Sequence, residues 1–313
     1  MANLFDEIDR NKRHSAILIF LMFVLTAVLG GVFGAYFQST VGGLIVAGIA
    51  AVVATIIAWF GGSSMILTIS GAKPIEKADH PQLWNVVEEL CIACGLSTMP
   101  KIYIIEDTAP NAFATGRDPQ HASVAITTGL LEKLDRDELQ GVMAHELSHV
   151  RNFDIRYAML VGVMVGAIAL FCDMFLRSLR FGGRRMRSSN NKNAGGGQIV
   201  ILVLALVLAI LAPISALALQ MAISRKREFL ADASGAELTR LPEALARALR
   251  KISNDQEVLE AANRATQHLY IVNPIKSFEE RSSKLFATHP PLEERVKRLE
   301  SMGYVKQSAG AAG

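Results

Sequence analysis

Residues 15–72 contain no Asp, Glu, Lys, Arg or His, an uninterrupted apolar and neutral stretch of 58 residues. A helix needs about 20 apolar residues to cross a bilayer, so this stretch is long enough to cross twice. Its break falls at Gln38-Ser39-Thr40-Val41-Gly42-Gly43, where polar and glycine residues suit a turn. The pattern therefore predicts a transmembrane hairpin of residues 16–37 and 41–60. A cleaved signal peptide is the alternative, but its apolar core would be only about 7–15 residues and would end at a small-residue cleavage site. Further on, residues 199–219 are uncharged and predict another crossing, with Pro213 as a kink that buried helices tolerate. Residues 157–172 form a shorter apolar segment that Asp173 interrupts. Between these two, Arg177, Arg180, Arg184, Arg185, Arg187 and Lys192 lead into Gly195-Gly196-Gly197, which reads as a basic loop over 177–197.

The polar remainder forms two blocks, 63–156 and 224–306, with a short N-terminus (1–15) and a tail (307–313) whose composition predicts disorder. The hydrophobic segments lie at 16–62 and 157–223. In the first block residues 79–94 predict a helix: Asp79 can cap it, Pro81 suits its first turn, and Leu83, Val86, Val87 and Leu90 recur at helical spacing. Residues 101–106, 111–115 and 122–127 are β-branched or alternating and predict strands. Asp135 and Glu138, three apart, form a capping pair that opens a helix running through residue 150. The second block is helical in pattern at 224–238, 242–252 and 291–300. No internal repeat is present.

Composition narrows the class. Hydrophobic residues make up 51% of the chain and charged residues 19%, with a mean hydropathy of +0.30; soluble globular proteins carry roughly 25% charged residues. Disordered chains, disulfide-framed miniproteins and coiled coils are excluded. A net charge of +3, from 32 basic and 29 acidic residues, argues for no nucleic acid partner. The three cysteines, Cys91, Cys94 and Cys172, make no disulfide framework. Cys91-Ile92-Ala93-Cys94 is a single CxxC with no second pair for a zinc ribbon, so buried small residues in a reducing compartment are the expectation.

The chemistry is concentrated at His145-Glu146-Leu147-Ser148-His149. An α-helix turns every 3.6 residues, so two histidines four apart stand one above the other and their imidazoles can share one metal ion. Glu146, beside the first, can act as general base toward a water on that ion. Chance would supply this pattern in on the order of one chain in a hundred. Two histidines leave a zinc site incomplete. The third ligand is not a downstream histidine of the metzincin kind, because Asn152 and Ile155 stand at the required positions. Glu228 and Asp232, four apart, share a helix face and offer carboxylates, although such a pair is more often a solvated face. Residues 111–115 can be an edge strand that pairs with an extended peptide, or an internal strand of a small sheet. His14, His80, His121 and His268 have no spaced partners.

Over nearly its whole length the chain resembles the HtpX family of integral-membrane zinc metalloproteases, relatives of the CAAX-prenyl proteases. The likeness runs through the hydrophobic hairpin, Asn111-Ala112-Phe113-Ala114-Thr115-Gly116, the His145–His149 motif followed by Asn152 and Asp154, the two later apolar segments, Glu228 to Asp232, and Thr288-His289-Pro290-Pro291 with Arg295. The resemblance implies an α+β, mainly helical membrane protein. It would have four hydrophobic helices and a zincin-like catalytic domain of gluzincin type with a small β-sheet. It implies one Zn2+ per chain held by His145, His149 and Glu228, with Asp232 behind a histidine. Glu146 would then be catalytic, His289 and Arg295 would lie beside the substrate where they could stabilise an oxyanion, and Asn111, Ala112, Phe113 and Ala114 would bind it. The implied role is quality control and stress response in a bacterial-type inner membrane, cutting misfolded or damaged membrane proteins. A CAAX-type processing protease, or a zinc-binding membrane scaffold without turnover, are the rival readings.

Charge placement supplies the orientation. If all four hydrophobic segments cross, the N-terminus and both polar blocks share one side. Ten basic residues lie near the membrane there (Arg10, Lys12, Arg13, Lys73, Lys77, Arg151, Arg156, Arg225, Lys226 and Arg227), against six in the 177–192 loop. The positive-inside rule then faces the site to the cytoplasm. The same six leave open whether the second hairpin spans fully.

Overall fold

The computed structural model describes residues 4–186, 196–255 and 290–310. The chain divides into two compact units, one of residues 1–60 and 160–220, the other of residues 61–159 and 221–313.

The first unit is helical. It contains α1 (Leu4–Tyr36), most of α2 (Thr40–Ile69), and the apolar stretches of α6 (Asp154–Met186) and α7 (Gly196–Thr239). Among the described residues, Thr40–Ile69, Asp154–Arg180 and Ile199–Ala216 are long and apolar enough to cross a membrane, and Phe20–Tyr36 is a shorter apolar stretch. The turn between α1 and α2 falls where the sequence predicts it, with Gln38 in a left-handed conformation (φ 60°) and Ser39 N–H donating to Gly34 O at 2.8 Å. Glycine is required beside this turn. A Cβ on Gly43 would stand 2.1 Å from the Gly30 carbonyl oxygen, so these two helices approach backbone to backbone. Met22, Thr26, Leu29 and Phe33 form the buried stripe of α1, and Phe33 stacks on Phe175 with ring centroids 3.9 Å apart.

Several boundaries differ from the sequence expectation, and α2 runs on to Ile69 rather than ending at residue 60. The first helix begins at Leu4 rather than residue 16, so the charged N-terminus extends it. α6 does not stop before Asp173 but runs to Met186, with Arg177 Nε donating to Asp173 Oδ2 at 2.6 Å one turn away. That pairing of neighbours four apart makes the charges compatible with a continuing helix. Arg177 and Arg180, expected in a loop, are therefore helical, while 187–195 lie outside the described residues. α7 joins two expected segments, 199–219 and 224–238, into one 44-residue helix with Pro213 inside it.

The second unit carries a four-stranded sheet in the order β1 (Lys73–Pro74), β2 (Lys101–Ile105), β4 (Ala122–Thr127), β3 (Ala112–Gly116). β1 and β3 run antiparallel to their neighbours, and β2 and β4 are parallel. The strand expected over 122–127 forms with those limits. β3 lies at the sheet's end, with Ala112 opposite Ile126 and Gly116 opposite Ala122. Helix α3 (Pro81–Cys94) starts on Pro81 and ends on Gly95 at φ 70°. Asp79 does not cap it: its carboxylate accepts the Glu76 N–H in the preceding turn, and His80 stands at the cap. Leu83, Val86, Val87 and Leu90 face the core, together with Cys91. Burial pushes the Cys91 thiol up to about 12 and raises that of Cys94 as well. Both are free cysteines, the inert buried residues expected of them.

After the short α4 (Thr128–Lys133) comes α5 (Arg136–Arg151), which is buried along most of its length. Its expected cap is present in both directions, Glu138 N–H on Asp135 Oδ1 at 2.9 Å and Asp135 N–H on Glu138 Oε2 at 3.0 Å. Glu138 also receives Lys251 Nζ at 2.6 Å from α8 (Pro242–Asn254). The final helix, α9 (Leu292–Gly310), continues through four residues expected in the disordered tail.

Candidate metal centre

The site lies entirely in the second unit, on α5, the start of α6, the end of α7 and α9. His145 and His149, one turn apart on α5, direct their Nε2 atoms at each other across 3.2 Å, with the ring planes at 89°. Two imidazole nitrogens bound to one tetrahedral zinc at about 2.0–2.1 Å would be about 3.3 Å apart. Glu228 Oε1 lies 3.5 Å from His149 Nε2, and Glu228 Oε2 lies 3.6 Å from His145 Nε2. One ligand atom from each of the three residues falls within 4.8 Å of the others.

What stands behind the histidines determines what faces inward. Asp232 Oδ1 is 3.0 Å from His145 Nδ1, and Asp154 Oδ2 is 3.1 Å from His149 Nδ1. A carboxylate accepts, so with the proton on Nδ1 the Nε2 of each ring is available to face a cation. In that form two lone pairs and a carboxylate converge on one buried point and repel unless a cation lies between them. The donor set and its spacing fit a zinc ion.

Buried charges surround this point and are paired. Arg295 is 1% exposed and grips Asp232 with two hydrogen bonds, Nε to Oδ2 at 2.8 Å and Nη2 to Oδ1 at 2.7 Å, while Nη1 stands 3.2 Å from Glu228 Oε2. Burial alone would raise the Asp232 carboxyl, but the Arg295 guanidinium prevails and holds it at about 2. Burial raises the Glu146 carboxyl above its ordinary value, with the charges of His145 and His149 opposing. For His145 and His149 burial favours the neutral ring, and the carboxylates on both sides of each ring outweigh it and raise both, Asp232 and Glu228 for His145, Asp154 and Glu228 for His149.

Glycine again permits the approach. Gly235 follows Asp232 by three on α7, and a Cβ there would lie 3.1 Å from His145 N. At the other end, Asn152 closes α5 and Phe153 takes a left-handed conformation (φ 61°) before α6 begins at Asp154.

The structure thus brings together His145, Glu146, His149, Glu228, Asp232 and Arg295. Arg295 is placed against Asp232 and Glu228, whose carboxylates its guanidinium holds. Asn111, Ala112, Phe113 and Ala114 lie on or beside β3, with Asn111 N–H on Thr127 Oγ1 at 2.9 Å and Ala112 N–H on Asn111 Oδ1 at 3.0 Å. The Phe113 side chain packs into the core with Leu67, Ile105 and Ala125, and all five residues of β3 are buried. His289 lies outside the described residues. Two residues escaped the sequence reading of roles. Asp154 sits five residues after His149, and Arg227 was counted as a membrane-surface charge but is 4% exposed.

Comparison with known proteins finds relatives along nearly the whole chain. Residues 77–303 match the model of peptidase family M48. A protein of Lactobacillus helveticus named Protease HtpX homolog is 42% identical over 301 residues, spanning 96% of this chain and all of that protein. A Tropheryma whipplei protein of the same name is 44% identical over 300 residues, spanning 96% of this chain and 99% of its own. Among solved structures, the crystal structure of S. mikatae Ste24p aligns with 96% of this chain and 66% of its own length, at 19% identity and a TM-score of 0.48. The chain therefore spans just under two thirds of that protein.

Proposed function

The chain belongs to peptidase family M48 and is a membrane metalloprotease, and on that premise we propose that its ion is zinc and that it cleaves misfolded or damaged membrane proteins at the cytoplasmic face. The observation that carries the zinc reading is the 3.2 Å approach of two imidazole nitrogens beside the Glu228 carboxylate. Zinc bound there would act as a Lewis acid, making a water acidic and polarising a peptide carbonyl. Glu146, one residue along α5 from His145, takes the proton from the attacking water and returns it to the departing amine. Burial favours this exchange, because a carboxylate whose proton affinity is raised is a better base. An extended substrate pairs by its backbone with β3 at the end of the sheet, which reads chain direction more than side chains and supports broad specificity.

The cytoplasmic placement rests on the basic residues flanking the hydrophobic segments. Removing buried Arg227 leaves nine on the site's side, still more than the six over residues 177–192, at the end of α6 and beyond it.

The test uses purified protein in detergent with casein. Glu146→Gln should retain zinc at wild-type stoichiometry and lose cleavage by about 10²–10⁴-fold. Glu228→Ala should lose both the metal and the activity. A Glu146→Gln protein that cuts casein at the wild-type rate would exclude the proposed base. A wild-type protein that holds zinc but never cleaves would be a scaffold.

A further inference from the structure

We propose that Asp154 and Arg227 are positioning residues for His149, forming a second carboxylate–arginine couple that orients this ligand as Asp232 and Arg295 orient His145. The inference rests on the zinc reading of the site and extends it to residues with no role there. Four observations support it.

First, the two arms have the same chemical order. His145 Nδ1 faces Asp232 at 3.0 Å and Asp232 is held by Arg295; His149 Nδ1 faces Asp154 at 3.1 Å and Asp154 Oδ1 lies 3.4 Å from Arg227 Nε. Second, Asp154 and Arg227 are almost fully buried, and removing two charges from water is costly unless each serves the other. Third, the Arg227 guanidinium lies 3.5 Å over the ring of Tyr157, a cation–π contact that helps fix its plane.

The fourth observation is the backbone. On an unbroken α-helix, a residue five positions after His149 would be rotated about 140° away from it and could not reach its ring. The chain breaks at Asn152, and Phe153 adopts φ 61° without being glycine, a left-handed conformation that L side chains rarely adopt. Such strain persists where the surroundings enforce it. Here it restarts the helix with Asp154 behind His149. The arms also differ: Arg295 is bidentate on Asp232, whereas Arg227 Nε stands 3.4 Å from Asp154 Oδ1 and its guanidinium stacks on a tyrosine.

The experiment titrates zinc into full-length, metal-stripped protein in detergent against a chromophoric chelator. Cobalt is substituted in parallel for its visible spectrum, and the melting temperature of the metal-free form is followed. Asp154→Asn, which keeps the shape and removes the charge, should weaken zinc binding about ten-fold and alter the cobalt band. Arg227→Leu should do the same to a smaller extent, and Arg227→Lys should restore part of the loss. Glu138→Gln is the control, since it breaks a buried ion pair at the far end of α5. It should lower the metal-free melting temperature and leave zinc affinity at the wild-type value. Wild-type zinc affinity and cobalt spectrum in Asp154→Asn overturn the proposal, as does a loss of affinity no larger than that of Glu138→Gln. A wild-type chain without zinc affinity removes the zinc reading itself, and this inference with it.

Discussion

The two units differ in whether charged residues are buried among the apolar ones. In the first, the interior positions of α2 and α7 are alanines, Ala47, Ala51 and Ala58 on one and Ala205, Ala209, Ala212 and Ala216 on the other, while Ile45, Ile49, Phe60, Ile199 and Val203 point outward. None of its described buried residues is charged. In the second, Leu, Ile and Val fill the core and eight Asp, Glu, His and Arg residues are buried among them: Glu138, His145, Glu146, Asp154, Arg227, Glu228, Asp232 and Arg295. The difference follows from the solvent. Lipid chains are as apolar as leucine, so helices in a bilayer gain nothing by hiding large side chains from it and associate instead through close backbone approach. In water, hydrophobic burial is strong enough to carry ionisable groups inward, provided that each finds a partner.

The largest expected effect tests the second half of that contrast. Arg295→Leu strips Asp232 and Glu228 of their shared cation and leaves two buried carboxylates without it. Removing one partner of a buried ion pair costs about 3–5 kcal/mol. Chemical unfolding of the metal-free protein should show a loss of that order. A change under about 1 kcal/mol would mean that the carboxylates take up protons or water at little cost, and that the interior is wetter than its burial indicates.

A smaller effect is expected where the first unit depends on missing side chains. Gly43→Val sets a branched side chain where even one carbon would collide with the Gly30 carbonyl. Overpacking of this kind costs about 1–3 kcal/mol. The melting temperature in detergent should fall accordingly, and it should fall less for Gly48→Val, because a Cβ on Gly48 meets nothing within 4 Å. Equal losses at the two positions would show that helix propensity, rather than close approach, governs this hairpin.

The same division explains what the sequence reveals and what it hides. Local signals read directly: the α5 cap from Asp135 and Glu138, the hairpin turn at Gln38, the strand over 122–127, and the two histidines on one face. Glu228 and Asp232 read only as a candidate pair, since nothing in a solvated-face pattern distinguishes it from one turned toward another helix. Asp154 was hidden by the helix break at Phe153. Glycine or asparagine usually marks such a left-handed residue, so a phenylalanine there gives no warning. Arg227 has the appearance of a membrane-surface charge because its neighbours Arg225 and Lys226 are also basic; only the fold turns it toward Asp154. The helix past Asp173 depends on a charge pair four residues apart, which periodicity of apolar residues does not register.

The smallest effect sharpens the comparison most. Ile49→Ala in α2 and Leu90→Ala in α3 both delete a large part of an aliphatic side chain, one outward-facing in the first unit and one fully buried in the second. Leu90→Ala should cost about 2–5 kcal/mol, from lost transfer energy and the cavity left behind. At Ile49 neither contribution arises. No protein cavity is created, and the unfolded helix stays in the same hydrocarbon, so its transfer energy is the same in both states. The expected loss is within about 0.5 kcal/mol. Both variants should be measured in one detergent by thermal unfolding, with the tryptophans (Trp59 and Trp84) as probes. A loss at Ile49 as large as that at Leu90 would mean that protein rather than lipid covers this face. The first unit would then be packed by the same hydrophobic rule as the second, and the contrast between them would reduce to one of composition.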